Sequence, residues 1–354
     1  MSDSNHIAID WSPTDIPYAY GGPSISGSLR DQPEDFFVEE VLGFEPEGEG
    51  EHVFLWIEKT DMNTQQLAGD IARLANLPVR QVSYAGMKDR RAVTRQWFSV
   101  HLPGKDSIDW QALNSDHVIL LKHCRHLRKL RRGAHRGNRF VITVKNLSGD
   151  TSELASTVAS IARRGVPNYF GEQRFGHGGL NIMRASQMFT GEFKPKKHQR
   201  GLYLSAARSY LFNQVLAHRV AANNWDQLTT GELLMLNGTH SVFPQGDNTD
   251  LDSRLLDGDI HLTGPLYGKP TSLAPTDSVA TIEADILQAT PDFTAGLKRA
   301  GLNAERRALR FIPTDLEAPL SDGQLELRFT LPTGCFATAL VRELVNYTGN
   351  QSDV

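Results

Sequence analysis

Asp89 is the one acid in a stretch dense with cations. Lys88 precedes it, Arg90 and Arg91 follow, and Arg95 comes soon after, in AGMKDRRAVTRQWFSV (85–100). The flanks, QVSY and QWFSV, carry the aromatic and β-branched residues of strands, so the acid sits near the tip of a connection. Nearby cations hold a carboxylate ionised even when it is partly buried. Such a carboxylate can act as a covalent nucleophile. It also fits a plainer part, a turn aspartate that satisfies neighbouring N–H groups and balances local charge. A single nucleophilic carboxylate among cations suits chemistry on a nucleic-acid sugar or base, with the cations on the phosphates.

The charge pattern supports a polyanion. The chain has 354 residues and a formal net charge of −4. Yet residues 122–139, KHCRHLRKLRRGAHRGNR, hold eight Lys or Arg, three His and no acid. Residues 193–200, FKPKKHQR, add four more cations. Acids concentrate elsewhere, with six in 38–51 and five in 247–259. A mildly acidic chain with concentrated basic stretches repels polyanions in general and holds one along a defined track. The plainer reading of a charge run is a solvated face.

Other chemistries find no support. The sequence has no phosphate loop of the GxxxxGK[ST] type, no strand–GxGxxG–helix unit, no HExxH and no GxSxG. HCRH (123–126) offers three metal-ligand types, but no second cluster stands at zinc-ligand spacing. DGD (257–259) reads first as a turn. We therefore expect no metal and no cofactor. Cys124 and Cys335 are the only cysteines, which suits a reducing, cytoplasmic setting. No apolar run approaches the roughly 20 residues that cross a bilayer, and the polar start MSDSNHIAIDW lacks signal-peptide features. No membrane and no obligate protein partner are indicated.

Around the basic loop, the elements read as follows. After an irregular lead-in (1–27), strands are expected at 30–41 and over HVFLWIEK (52–59). A helix is expected over 63–78, capped by Asn63 or Thr64 and stopped by Pro78. Strands follow at 117–121 and 139–146, with the basic stretch between them. A helix over 150–165 is capped by Asp150 and ends at Gly165. Then the texture changes to a Gly- and Asn-rich ordered loop (166–181) and a long helix (203–223). A Gly- and Asp-rich region and more helical pattern (284–302) lead to strands at 307–313 and 325–332. A final helix lies behind Gly334 (333–347). The simplest organisation is an α/β domain in two parts, 1–164 and 308–354, around a more helical insert, 165–307.

Aromatics add a second clue. Phe36, Phe37, Phe140 and Phe336 sit among charged or small neighbours. Each fits a core position, or, if several share one pocket, a stack for a base taken out of its helix. Asn138 carries a donor and an acceptor that suit the edge of a uracil, and it equally fits a turn.

GMKDRRAVTRQ (86–96) resembles the GxKDxxAxTxQ signature of the TruD family of transfer-RNA pseudouridine synthases. PEDFFVEE (33–40), GNRF (137–140), PNYFGEQRFG (167–176) and LPTGCFATALVRELVN (331–346) are similar to the same family in the same order. The resemblance spans about residues 28–347. It implies isomerisation of one uridine in transfer RNA, uridine 13, without cofactor or metal. It implies an α+β fold, a mixed and largely antiparallel sheet with flanking helices, interrupted by an inserted second α/β domain. Asp89 matches the catalytic aspartate, and Phe36, Asn138 and Phe336 match uridine-contacting positions, with Phe140 beside them. The basic partner of the acid is matched by Arg30, where close relatives are expected to carry Lys. Some members carry Tyr at the position of Phe336, and a ring survives either way. Lys88, Arg128, Lys129, Arg131 and Arg132 are expected on the RNA backbone. Two rivals stay open: a non-catalytic RNA-binding protein on the same scaffold, and a metal-dependent nuclease built on the carboxylates of 247–259.

Overall fold

Alternation along Phe36–Val41 (β1) buries Phe36, Val38 and Glu40 on one face and leaves Phe37, Glu39 and Val41 half-buried on the other. This is the period of a strand that lies on a core. In the computed structural model, which describes residues 16–104 and 107–348, β1 lies at the middle of a sheet of 11 strands. The spine also contains His52–Thr60 (β2), Val93–His101 (β3), Val118–His126 (β4), Gly137–Gly149 (β5) and Gln324–Pro332 (β6). Their order across the sheet is β6-β5-β1-β3-β2-β4, with Thr314–Glu317 outside β6. β1 runs parallel to β3, and the other spine pairs are antiparallel. The class is α+β, with a mixed, largely antiparallel sheet.

One helix lies on the β2 side of this sheet. Thr64–Leu74 (α1) is capped by Asn63, whose side chain accepts from the Gln65 N–H at 2.8 Å. Leu67, Ala68, Ile71 and Ala72 are buried with Val53, Leu55 and Ile57 of β2 and Phe98 and Val100 of β3. Each large aliphatic residue buried there contributes about 1.5–3 kcal/mol. Asn76 closes the helix in the left-handed region, at φ 52°, as a short polar residue does readily.

The chain divides into two compact units. The unit with the 11-stranded sheet contains the described residues of 23–162, 313–337 and 344–348. The second contains 163–312, 16–22 and 338–343. Its core is the long helix Lys197–Ala221, helices Leu180–Thr190, Asp277–Gln288 and Pro291–Arg299, and a four-stranded sheet. Inside it Arg219 donates to Glu232 at 2.7 Å with both side chains buried. The helical pattern expected over 284–302 resolves into two helices separated by Ala289 and Thr290.

Two segments lie elsewhere than the sequence suggests. Residues 16–22 and 338–343 belong to the second unit. Arg342 donates from Nη2 to the Ile16 carbonyl at 2.6 Å and lies over the Tyr18 ring at 4.1 Å, and Ala19 N donates to Glu343 at 2.9 Å. These bonds span more than 300 residues, which no local pattern displays. The remainder of the expected lead-in, 1–15, lies outside the described residues. No helix among the described residues is long and apolar enough to cross a membrane.

Candidate active site

Residues 85–92 join the short strand Val82–Tyr84 to β3. The loop is tied to four different elements. Thr64, first residue of α1, accepts the Lys88 N–H on its hydroxyl at 3.1 Å and donates to Gln96 Oε1 at 3.0 Å. Gln96, on β3, donates from Nε2 to the Gly86 carbonyl at 3.2 Å. Lys59, on β2, donates from Nζ to the Asp89 carbonyl at 2.9 Å. Gly133, in the basic stretch, donates to the Ala85 carbonyl at 2.8 Å. The backbone that carries the acid is therefore fixed before any ligand arrives.

The Asp89 carboxylate is partly open, its side chain 28% exposed. Arg30 donates to Asp89 Oδ2 from Nη2 at 3.1 Å. Arg30 follows the strand Ile25–Leu29 with φ at 63°, a conformation that disfavours a long L side chain by about 1–2 kcal/mol. Such residues persist where surrounding structure demands them and cluster at functional sites. Beneath, the guanidinium sits 3.9 Å from the centre of the Phe36 ring. Burial drives the Lys59 ammonium from its ordinary 10.5 to about 8, although the Asp89 charge pulls it back up.

A second cluster adjoins the first. Glu40 and Asn138 are cross-strand partners between β1 and β5, and Lys88 reaches in to both. Its Nζ donates to Asn138 Oδ1 at 2.8 Å and lies 3.1 Å from Glu40 Oε2. Burial pushes Glu40 above the ordinary carboxylate value, against the pull of Lys88, and Trp97 N–H donates to its other oxygen at 3.3 Å. His135 is buried nearby. Burial and then the Lys88 charge lower it to about 4, so its ring is neutral at physiological pH.

These placements correct three expectations. Lys88 is no surface contact for phosphate, since its side chain is only 5% exposed and is held by Glu40 and Asn138. Phe36 and Phe140 do not offer free faces to a base. Phe36 is 1% exposed with Arg30 over its ring, and Phe140 stacks on Phe329 at 5.3 Å. Both belong to the core that supports Arg30. Phe336 is half-buried, in the turn between β6 and the helix Ala337–Leu344. That turn takes Gly334 through φ 87° and is pinned by Thr333, whose hydroxyl donates to the His135 carbonyl at 2.7 Å. The expected final helix thus begins three residues after Gly334.

The basic stretch is half strand. Residues 122–126 continue β4, so His123 and Cys124 point to opposite faces and HCRH cannot converge on a metal. Among the described residues no group of His, Cys, Asp or Glu is arranged to hold one. DGD is a helix end, with Asp259 accepting from Arg254 at 2.7 Å. Beyond β4, Leu130 anchors the loop by packing with Phe54, Ala85 and Trp97. Arg128, Lys129, Arg131 and Arg132 are all exposed around it.

The sequence offered Thr64 only as a helix cap and gave no site role to Glu40, Lys59 or Gln96. Two of them carry a visible signal. The period of β1 puts Glu40 on the face of Phe36 and Val38, and the period of β2 puts Lys59 on the face of Val53, Leu55 and Ile57. A charged residue on a core face of a strand needs a buried partner.

Known proteins resemble the chain over nearly its full length. The family model for tRNA pseudouridine synthase D (TruD) matches residues 16–194 and 193–344. A tRNA pseudouridine synthase D of Methylococcus capsulatus is 46% identical over 336 residues, 94% of this chain and 95% of its own. One of Stutzerimonas stutzeri is 44% identical over 340 residues, 96% and 98% of the two chains. A crystal structure from Methanosarcina mazei with the same family name is 22% identical and superposes with a TM-score of 0.72, over 92% of this chain and 95% of that one. The last comparison concerns the fold alone.

Proposed function

The chain belongs to the TruD family of tRNA pseudouridine synthases, and on that premise we propose that it isomerises uridine 13 of transfer RNA to pseudouridine, with Asp89 as the catalytic carboxylate and no cofactor. One observation carries the assignment. Asp89 is partly open to solvent, paired with Arg30 at 3.1 Å, and borne on a loop that Lys59, Thr64 and Gln96 hold rigid. A preorganised carboxylate of this kind can answer charge that develops on a sugar as its base departs.

The strand of RNA lies on Arg128, Lys129, Arg131 and Arg132, and the target uridine leaves its stack. Phe336 supplies a ring to the flipped base and Asn138 supplies a hydrogen bond. The Asp89 carboxylate assists cleavage of the N1–C1′ bond. The uracil turns, C5 bonds to C1′, and loss of the C5 proton, with a proton gained at N1, completes an isomerisation with no net change in atoms. Arg30 keeps the carboxylate aimed.

The test uses unmodified transfer RNA with and without chelator. Pseudouridine at one position, unchanged RNA length and no metal requirement support the reading. Shortened RNA that depends on metal indicates a nuclease, and chemically unchanged RNA indicates a binding protein. Either result overturns it.

A further inference from the structure

Asn138 has an acceptor oxygen at one end of its amide and a two-proton donor at the other, and the fold has already engaged the oxygen end. Lys88 Nζ donates to Oδ1 at 2.8 Å. An ammonium has three donors and no acceptor, so the opposite amide orientation would set donor against donor. Lys88 cannot swing away, because its side chain is 5% exposed and its charge is held by Glu40 at 3.1 Å. The backbone of Asn138 is fixed between two strands, opposite Glu40 of β1 and Leu331 of β6. Among the described residues the amide nitrogen Nδ2 has no protein partner, and Asn138 is half-buried.

We propose that Lys88 is a positioning residue that fixes the polarity of the Asn138 amide, so that Asn138 meets the flipped base through its Nδ2 donor and reads a carbonyl oxygen. The proposal rests on the reading given under Proposed function. It assigns the buried Glu40–Lys88 pair a task in specificity. Removing one partner of a buried pair leaves an uncompensated charge, so the polarity is locked by the same contact that keeps the core intact.

The experiment compares transfer-RNA transcripts with uridine, 2-thiouridine or 4-thiouridine at the target position. Sulfur accepts hydrogen bonds more weakly than oxygen, and its other effects on the base are common to every variant, so the difference between variants isolates the contact. Asn138→Asp keeps size and leaves Lys88 an acceptor, but replaces the donor with an acceptor. Its kcat/KM on uridine is expected to fall about 100-fold, and thermal melting is expected to hold. The wild type is expected to lose about tenfold on the one analogue whose sulfur replaces the contacted oxygen, and Asn138→Asp to lose nothing further there. Since Lys88→Met alone strands Glu40, the second variant is Lys88→Met with Glu40→Met, which replaces the pair with apolar groups. It is expected to fold and to lose the same oxygen-over-sulfur preference. A wild-type rate for Asn138→Asp, or an undiminished preference in either folded variant, overturns the proposal. A wild-type protein that forms no pseudouridine on any transcript overturns the reading beneath it, and the proposal with it.

Discussion

Arg30 and Asp89, 59 residues apart in the chain, meet at 3.1 Å although Arg30 must hold a left-handed backbone to get there. The same guanidinium covers the ring of Phe36. One cation thus links the aromatic core of the sheet to the open carboxylate, and each side of that link makes a separable prediction.

Asp89→Asn keeps size and removes charge. Folding and RNA binding are expected to survive, and single-turnover pseudouridine formation is expected to fall by roughly 10⁴ or more, as for other lost nucleophiles. A variant with more than about a tenth of the wild-type rate, little over 1 kcal/mol of barrier, would remove Asp89 from the chemistry.

Arg30→Gly relieves the backbone and deletes the partner. The relief, about 1 kcal/mol, opposes the loss of a partly exposed ion pair, worth about 0–1 kcal/mol. Stability in urea is expected to stay within about 1 kcal/mol of wild type while turnover drops at least 100-fold. Collapse of the fold would mark Arg30 as a core support instead.

Phe36→Ala and Phe336→Ala are expected to part company. Phe36 is fully buried, so its truncation destabilises by about 3–5 kcal/mol. Phe336 is half-buried, and a stacking ring is worth about 1–3 kcal/mol per base. Its loss is expected to lower kcat/KM tenfold to a hundredfold with a small change in melting. A large melting shift with normal turnover in Phe336→Ala counts against its contact with the base.

Replacing Arg128, Lys129, Arg131 and Arg132 together by Ala is expected to weaken binding similarly for RNAs of different sequence, since phosphate contacts position and do not specify. The slope of log K against log salt flattens by about 0.7–0.9 for each phosphate that is no longer neutralised. An unchanged slope identifies an ordinary solvated face.

Lys59 supplies a pH signature. Its folded value, about 8, lies below the ordinary 10.5, so the unfolded chain binds the extra proton between them and stability rises with pH across that window. At about 1.4 kcal/mol per pH unit the rise is at most about 3 kcal/mol. Denaturation from pH 7 to 10, set beside the same series for Lys59→Met, is expected to show a gain in the wild type that the variant lacks. A parallel pair of curves refutes the assignment.

Much of this site was legible along the chain and part was not. Asp89 and Asn138 stand in short stretches whose residue types point to them, whereas Arg30 enters only through the family resemblance. The strand periods of β1 and β2 carry a signal that was not read at Glu40 and Lys59, charges that fall on core faces. The direction of Lys88 was hidden, because a lysine between a glycine-flanked methionine and an acid looks solvated until β1 and β5 set Glu40 opposite Asn138. Phe36 and Phe140 looked like base platforms for the same reason: a sequence shows that a ring is present and not what covers it. Segments 16–22 and 338–343 were misplaced because their bonds join the two ends of the chain.

The order of the sheet bears on how the protein is made. β5 sits between β1, from near the start of the chain, and β6, from near its end. While the ribosome is still at work, Asp89, Lys59 and the Glu40–Lys88–Asn138 cluster can assemble from residues already emerged, with β5 an unprotected edge. Pairings of such sequence separation form late, and exposed edges invite association with other chains. Only when Gln324–Pro332 arrives is that edge covered, and the same segment brings in the turn that carries Phe336. Nascent chains would therefore hold the carboxylate for most of their synthesis without the ring, and closure of the sheet would coincide with completion of the site.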